Sequence, residues 1–253
     1  MERNILIIGF GVVGQAVHSG LSQSKSNYLD IVDLDHDDDI IYSKYDGVIL
    51  CLPTPQGPTG ECDDMLVEQY HRQIRLTEPD MPILIKSTIS IELAEMFKDD
   101  MALTYNPEFL TQADSKEDFL HQKFAIFGGN NSRFWYYIYI NSDIKIDKVR
   151  FTSIKNAAFA KYAINSFLAT KVVFFNELRN LYSDPDFDSL TDIIGLDERI
   201  GTSHMMVPGP DLKYGFSGMC FPKDTSAFVT SAKRQGSPLQ VLEKVIEVNK
   251  GLQ

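Results

Sequence analysis

The stretch Asn4-Ile5-Leu6-Ile7-Ile8-Gly9-Phe10-Gly11-Val12-Val13-Gly14 decides the fold. Asn4 to Ile8 reads as a buried strand, and the pattern from Val12 to about Leu21 reads as a helix. The glycines between them are spaced G-x-G-x-x-G. Alone, that spacing is weak. Placed after a strand and opening a helix, it is the fingerprint of dinucleotide binding. Its glycines allow a tight turn, close approach of a pyrophosphate, and close packing of helix on sheet, with the helix N-terminus facing the phosphates. Gly9, Phe10, Gly11, Val12, Val13 and Gly14 are therefore candidate cofactor residues. Leu29 to Val32 reads as the second strand, and Asp33 stands 19 residues after Gly14. A carboxylate there accepts the ribose hydroxyls and repels a 2′-phosphate, and no arginine lies nearby, so NAD is expected rather than NADP. A glycine turn in an ordinary α/β domain is the alternative.

Working outward, Gly47 to Leu50 reads as a third strand ending in Cys51-Leu52-Pro53-Thr54-Pro55. The two prolines forbid continuation, giving a rigid loop at a strand's C-terminal end, where ligands sit in doubly wound sheets. Pro53 and Thr54 thus join the cofactor candidates. A helix from about 64 to 76 follows. A strand over 82–85 leads into Lys86-Ser87-Thr88-Ile89, and one over 103–105 into Asn106-Pro107-Glu108-Phe109-Leu110. A last strand over 124–127 precedes Gly128-Gly129 and a helix over 131–140. This order predicts an α/β fold, a Rossmann-like doubly wound parallel sheet of about six strands over residues 1–150.

The remainder, 151–253, reads as an all-helical central domain. Its longest pattern, 153 to about 182, is rich in Ala, Phe, Leu, Val and Ile with no internal proline or glycine. Such a helix is buried between layers or forms a dimer core, so a homodimer through it is expected. Lys161 and Asn165 share one face; periodicity alone favours a solvent-facing stripe over a buried, paired arrangement. Ser237-Pro238 reads as N-cap and first turn of a final helix.

Composition bounds the partners. The chain has 253 residues, 43% hydrophobic, and a formal net charge of −11, which argues against nucleic acid and anionic membrane surfaces. Asp33, Asp35, Asp37, Asp38 and Asp39 read as a solvated acidic loop. Cysteines 51, 62 and 220 form neither a C-x-x-C pair nor a closed disulfide framework, and the five histidines are scattered, so no metal site is expected. No secretory signal and no apolar run of about 20 residues is seen, which leads to the expectation of a cytoplasmic protein with no membrane segment.

The chemistry-bearing stretch is Gly215-Phe216-Ser217-Gly218-Met219-Cys220-Phe221-Pro222-Lys223-Asp224. Pro222 suits a first helical turn, so a helix is predicted from near Phe221 to about Arg234. Cys220 then sits at its start, where unpaired N–H groups and the dipole favour a thiolate. Lys223 adds a cation, and Asp224 falls on the side facing back toward Cys220. Together they describe an activated nucleophile with a base; a packed, inert cysteine is the alternative.

This segment resembles the cysteine signature of the UDP-glucose/GDP-mannose dehydrogenase family, G-[FY]-G-G-x-C-F-P-K-D, with Ser217 in place of a glycine. The resemblance continues through PTP, KST and NPEFL in order, through AKYAINSFLATKVVFFNE, and through Asp197-Glu198-Arg199-Ile200-Gly201. Gln112 departs from it, standing where many members carry a glutamate. The family usually continues into a third, nucleotide-binding domain that this sequence does not include.

The resemblance implies oxidation of a nucleotide-sugar alcohol to a carboxylate with two NAD. Cys220 would attack the aldehyde intermediate, Lys161 and Asn165 would hold the oxyanion, Asp224 with Thr88 would activate water, and Glu108 would serve thioester hydrolysis. It also places Lys223 and Thr88 near the cofactor. Glu108, Phe109, Leu110, Lys161, Asn165, Arg199 and Ser217 fall at substrate positions, Arg199 across a dimer interface. Two rivals stand beside it: a non-catalytic nucleotide-sugar or NAD-binding protein, and a two-electron NAD dehydrogenase that leaves Cys220 idle.

Overall fold

A computed structural model gives the structure of residues 2–22, 24, 27–33, 40–110 and 114–253. The acidic run 35–39 and Gln112 lie outside these described residues. The chain divides into two compact units: residues 1–55 with 62–161, and residues 56–61 with 162–253.

The first unit carries β1 (Arg3–Ile8), α1 (Val12–Leu21), β2 (Asn27–Val32), β3 (Gly47–Leu50), α2 (Met65–Thr77), β4 (Ile83–Ile85) and α3 (Ile91–Met96). It continues with β5 (Leu103–Tyr105), α4 (Ser115–Leu120), β6 (His121–Gln122), β7 (Ala125–Gly128), α5 (Ser132–Ile140), β8 (Lys145–Ile146) and β9 (Val149–Thr152). The seven-stranded sheet runs β2-β1-β3-β4-β5-β7-β9, while β6 and β8 form a separate pair. Ile8 pairs with Val32 on one side and Leu50 on the other, so β1 and β3 flank the point where strand order reverses.

The expectation of about six parallel strands needs two corrections. β9 extends the sheet past residue 150 by pairing with β7, and β7 meets β5 antiparallel at Tyr105–Gly128. Central strands are buried on both faces, as covered parallel sheets require. Leu6, Ile8, Val48 and Leu50 pack in a core with Val67 and Ile74 of α2. Ile5, Ile7 and Ile49 point the other way, against Ala16 and Val17 of α1 and Trp135 of α5.

The second unit is helical: the later part of α6 (Ile154–Leu181), then α7 (Phe187–Gly195), α8 (Phe221–Arg234) and α9 (Gln240–Leu252). Its core joins Ala169 and Val173 of α6, Phe216, Val229 of α8, and Leu242 and Val245 of α9. Residues 56–61 pack on α8, where a Cβ on Gly60 would lie 2.5 Å from Ser226 Oγ. The boundary between the units falls inside α6, after Lys161.

Ser237-Pro238 does not cap the last helix; α9 begins at Gln240 with no side-chain cap. Instead, Gly236 takes φ +72° and Ser237 N–H donates to Ala232 O while Gly236 N–H donates to Lys233 O, the paired bonds of a Schellman ending to α8. Among the described residues, no helix is long and apolar enough to cross a membrane.

Candidate functional site

In the sheet-bearing unit, the turn after β1 is built around its glycines. Gly9 takes φ +91°, and its N–H donates to Val32 O at 2.9 Å. A Cβ on Gly9 would lie 2.5 Å from Cys51 O, and one on Gly14 would lie 2.1 Å from Gly9 O. Backbones touch there, so packing within the chain demands both glycines. Gly11 differs. It caps α1, and among the described residues nothing lies within 4 Å of where its Cβ would be. No contact among the described residues requires that glycine, but close approach of a ligand to the helix N-terminus would. The turn thus fits a dinucleotide pyrophosphate.

Phe10 N–H donates to Asp33 Oδ1 at 3.2 Å, which ties the carboxylate to the turn. Val12 is exposed and Val13 half-buried on the first turn of α1. Along the same strand ends, Leu52 N–H donates to Ser87 Oγ at 2.7 Å, joining the loop after β3 to the one after β4. Thr54 and Thr88 are buried and Pro53 is exposed. Burial pushes the Cys51 thiol up to about 12, which suits a packed strand end and not a nucleophile. Cys62 is buried too, its Sγ 3.6 Å from Thr88 O.

Lys161 closes this unit's chemistry. It is 3% exposed, so it belongs to no solvent-facing stripe. Its Nζ donates to Glu108 O at 2.5 Å and to Glu108 Oε1 at 3.2 Å, and stands 5.1 Å from the Phe109 ring centroid. Among the described residues these bonds leave it a third N–H without an acceptor. Leu110 is half-buried beside Phe109. A second buried lysine, Lys86, donates to Asn106 Oδ1 at 2.8 Å. Its partner Asn106, itself held by Tyr139, lies 20 residues along the chain, so no local pattern marks Lys86.

In the helical unit, Cys220 is the residue immediately before α8, with its side chain exposed. Pro222 occupies the first turn, and Asp224 N–H donates to Cys220 O at 2.8 Å. Asp224 is fully buried at 0%. Its Oδ2 accepts from Asn165 Nδ2 at 2.6 Å and its Oδ1 from Lys223 Nζ at 2.6 Å. The Lys223 cation is thus paired with Asp224. Asn165 keeps one amide N–H unused among the described residues.

The cysteine loop is held by two asparagines. Asn249 accepts from Phe216 N–H at 2.7 Å and donates to Phe216 O at 3.0 Å, while Asn176 Oδ1 accepts from Gly215 N–H at 3.0 Å. The signal in sequence was an asparagine inside an apolar helix, visible for Asn176 and unremarked for Asn249. Left-handed backbone falls at Gly215 and Gly218, and not at Ser217, so serine fits there without strain. Ser217 Oγ donates to Asp211 Oδ2 at 2.7 Å. Arg199 is 89% exposed and forms a bidentate pair with Asp197, at 2.9 and 2.6 Å. Thr88, Glu108 and Lys161 thus belong to one unit, and Asn165, Arg199, Ser217, Cys220, Lys223 and Asp224 to the other. Among the described residues no metal-ligating cluster occurs.

Residues 155–251 match the family described as "UDP-glucose/GDP-mannose dehydrogenase family, central domain". The chain is 34% identical over 218 residues to a UDP-glucose 6-dehydrogenase of Rickettsia bellii (strain RML369-C), covering 81% of this chain and 49% of that protein. It spans about half the length of the curated relatives it matches. A UDP-glucose dehydrogenase from the hyperthermophilic archaeon Pyrobaculum islandicum superposes with a TM-score of 0.84 at 22% identity, over 99% of this chain and 68% of that one. A 3-hydroxyisobutyrate dehydrogenase from Mycobacterium tuberculosis superposes at 0.75 and 17% identity, over 99% and 94%. At these identities the two superpositions establish the fold.

Proposed function

The chain belongs to the UDP-glucose/GDP-mannose dehydrogenase family, and from that premise we propose that it oxidises the C6 alcohol of a nucleotide sugar to a carboxylate, with two hydrides passing to NAD. The observation that carries this reading is the α8 start: an exposed cysteine on a pinned loop, one turn before a buried aspartate bonded to Asn165 and Lys223.

The turn Gly9–Gly14 with Asp33 holds the dinucleotide, and Pro53, Thr54, Thr88 and Lys223 belong to the same cofactor set. When bound, NAD supplies the acceptor for each hydride. The residues of the chain do the rest. Lys161 and Asn165 each offer a donor to the C6 oxygen, which stays on its carbon. It loses its proton to water as the alcohol is oxidised and carries charge again when the thiol adds to the aldehyde. Cys220 Sγ bonds to the aldehyde carbon. After loss of the second hydride and the hydroxyl proton, that carbon is a thioester, and water cleaves its C–S bond to give the carboxylate and the thiol. Asp224, with Thr88, orients that water and Glu108 takes its proton. Glu108, Phe109, Leu110, Arg199 and Ser217 contact the sugar nucleotide. The test is turnover of a panel of nucleotide sugars with NAD; no NADH from any of them would leave only a binding protein.

NAD is expected to bind far more tightly than NADP, because the Asp33 carboxylate stands where a 2′-phosphate would fall. Asp33→Ala removes a charged acceptor, a change of about 1.5–3 kcal/mol, so NAD affinity should fall roughly 10- to 100-fold by calorimetry. Equal NADP binding by the parent would contradict this assignment.

The chain is also expected to form a homodimer through α6. Phe167, Phe174 and Leu181 are 68%, 57% and 82% exposed at seven-residue spacing, one apolar stripe along the helix. Sedimentation at micromolar concentration should show a dimer, and Phe174→Glu should shift it to monomer. A concentration-independent monomer for the parent would contradict it.

A further inference from the structure

Lys86 follows β4 and is 1% exposed. The Asn106 oxygen that accepts from its Nζ also accepts from Tyr139 OH at 3.0 Å, and Asn106 Nδ2 is committed to Ile126 O at 2.7 Å. The asparagine oxygen, with two lone pairs, is filled by these two donors and can accept no more. An ammonium carries three N–H donors. Among the described residues, Asn106 is the only acceptor for Lys86, and the Phe119 ring centroid lies 5.6 Å from Nζ. A buried ammonium with two bonds unmade among the described residues is costly. Burial holds its pKa down to about 8, with Glu108 opposing the shift, so it is still mostly charged at neutral pH.

Lys86 lines a cavity of about 150 Å³ in the sheet-bearing unit, walled by Phe109, Phe119 and Phe124. An apolar cavity near 150 Å³ can take a benzene ring, so about six heavy atoms fit. Glu108 shares the wall, but its carboxylate is engaged by Lys161 at 3.2 Å. His121, also on the wall, bonds Glu117 at 2.9 Å.

We propose that this cavity binds a small organic carboxylate, whose oxygens accept the two unused Lys86 N–H bonds and whose carbon end lies against the three phenylalanines. Water alone would satisfy the donors and leave the charge and aromatic walls unmatched. A phosphate would bring a second charge toward Glu108 and Asp118 and find no apolar complement. The cavity shares Glu108, Phe109 and Leu110 with the proposed sugar-nucleotide contacts, but a carboxylate bound there needs neither NAD nor sugar.

The whole chain is titrated calorimetrically with butyrate and with inorganic phosphate, at ionic strength held constant with chloride. One butyrate per chain is expected, with phosphate at least about tenfold weaker. The charged and titratable groups around Lys86 are Glu108, Asp118, His121, Lys123, Lys161, Cys51 and Tyr139. Lys86 loses its charge above about pH 8, so the butyrate Kd should rise roughly tenfold per pH unit above that point. Lys86→Met should lose binding while retaining cooperative unfolding, and Lys123→Gln should keep it within about threefold. Absence of saturable butyrate binding, phosphate binding of equal strength, or undiminished binding by Lys86→Met would each overturn the proposal. If that variant does not fold, a flat pH profile of the parent above pH 8 overturns it.

Discussion

Cys220→Ser is expected to bind NAD as the parent does and to lose steady turnover by roughly three orders of magnitude or more. The argument is chemical. A serine adduct is a hemiacetal whose oxidation gives an ester, a poorer acyl donor to water than a thioester, so sugar should accumulate on the protein as a mass adduct. The position is exposed at the start of α8, and serine is accepted at helix starts. Alkylation should show the same selectivity, striking exposed Cys220 well before buried Cys51 and Cys62. Unchanged turnover in Cys220→Ser would assign the chain to the two-electron dehydrogenases.

The second large effect is expected at Asp224. This carboxylate is buried and accepts one bond from Asn165 and one from Lys223, so Asp224→Ala strands an amide and an ammonium together. Removing one partner of a buried pair costs about 3–5 kcal/mol, which should appear as a lower denaturation midpoint at unchanged m-value. Asp224→Asn is the informative variant. It keeps volume and one acceptor but turns an amide NH₂ toward one of two donors, so Asn165 or Lys223 loses its bond. Turnover should fall roughly 10²- to 10⁴-fold, the range for lost acid–base assistance, with NAD affinity within a few-fold of the parent. A fully active Asp224→Asn would remove Asp224 from the proposed chemistry and leave it a structural anchor for Asn165.

The sequence disclosed what is decided locally. Gly14 is required by the Gly9 carbonyl five residues back and Gly9 by its own left-handed φ, and so G-x-G-x-x-G after Ile8 was legible. Pro222 after Cys220 set the start of α8 in the same way. Competing local signals misled at Ser237-Pro238, where the left-handed Gly236 ends one helix and Ser237 closes it, so the apparent start signal belonged to a stop. The antiparallel β7 and the short β9 were hidden because the direction of a four-residue strand is set by its neighbours and not by its own pattern. Burial of Lys161 was open to the opposite reading by periodicity, and it is decided by Glu108, 53 residues away. The clamp of Asn249 on Phe216 and the Lys86–Asn106–Tyr139 network are likewise tertiary facts with no sequence signature.

The measurement that tests the central claim most directly is the number of NADH formed per nucleotide sugar consumed to completion, with the sugar product identified by mass. Two NADH and a carboxylate are predicted, since the Cys220 adduct must surrender a second hydride before water can release it. One NADH and a free aldehyde would contradict the account.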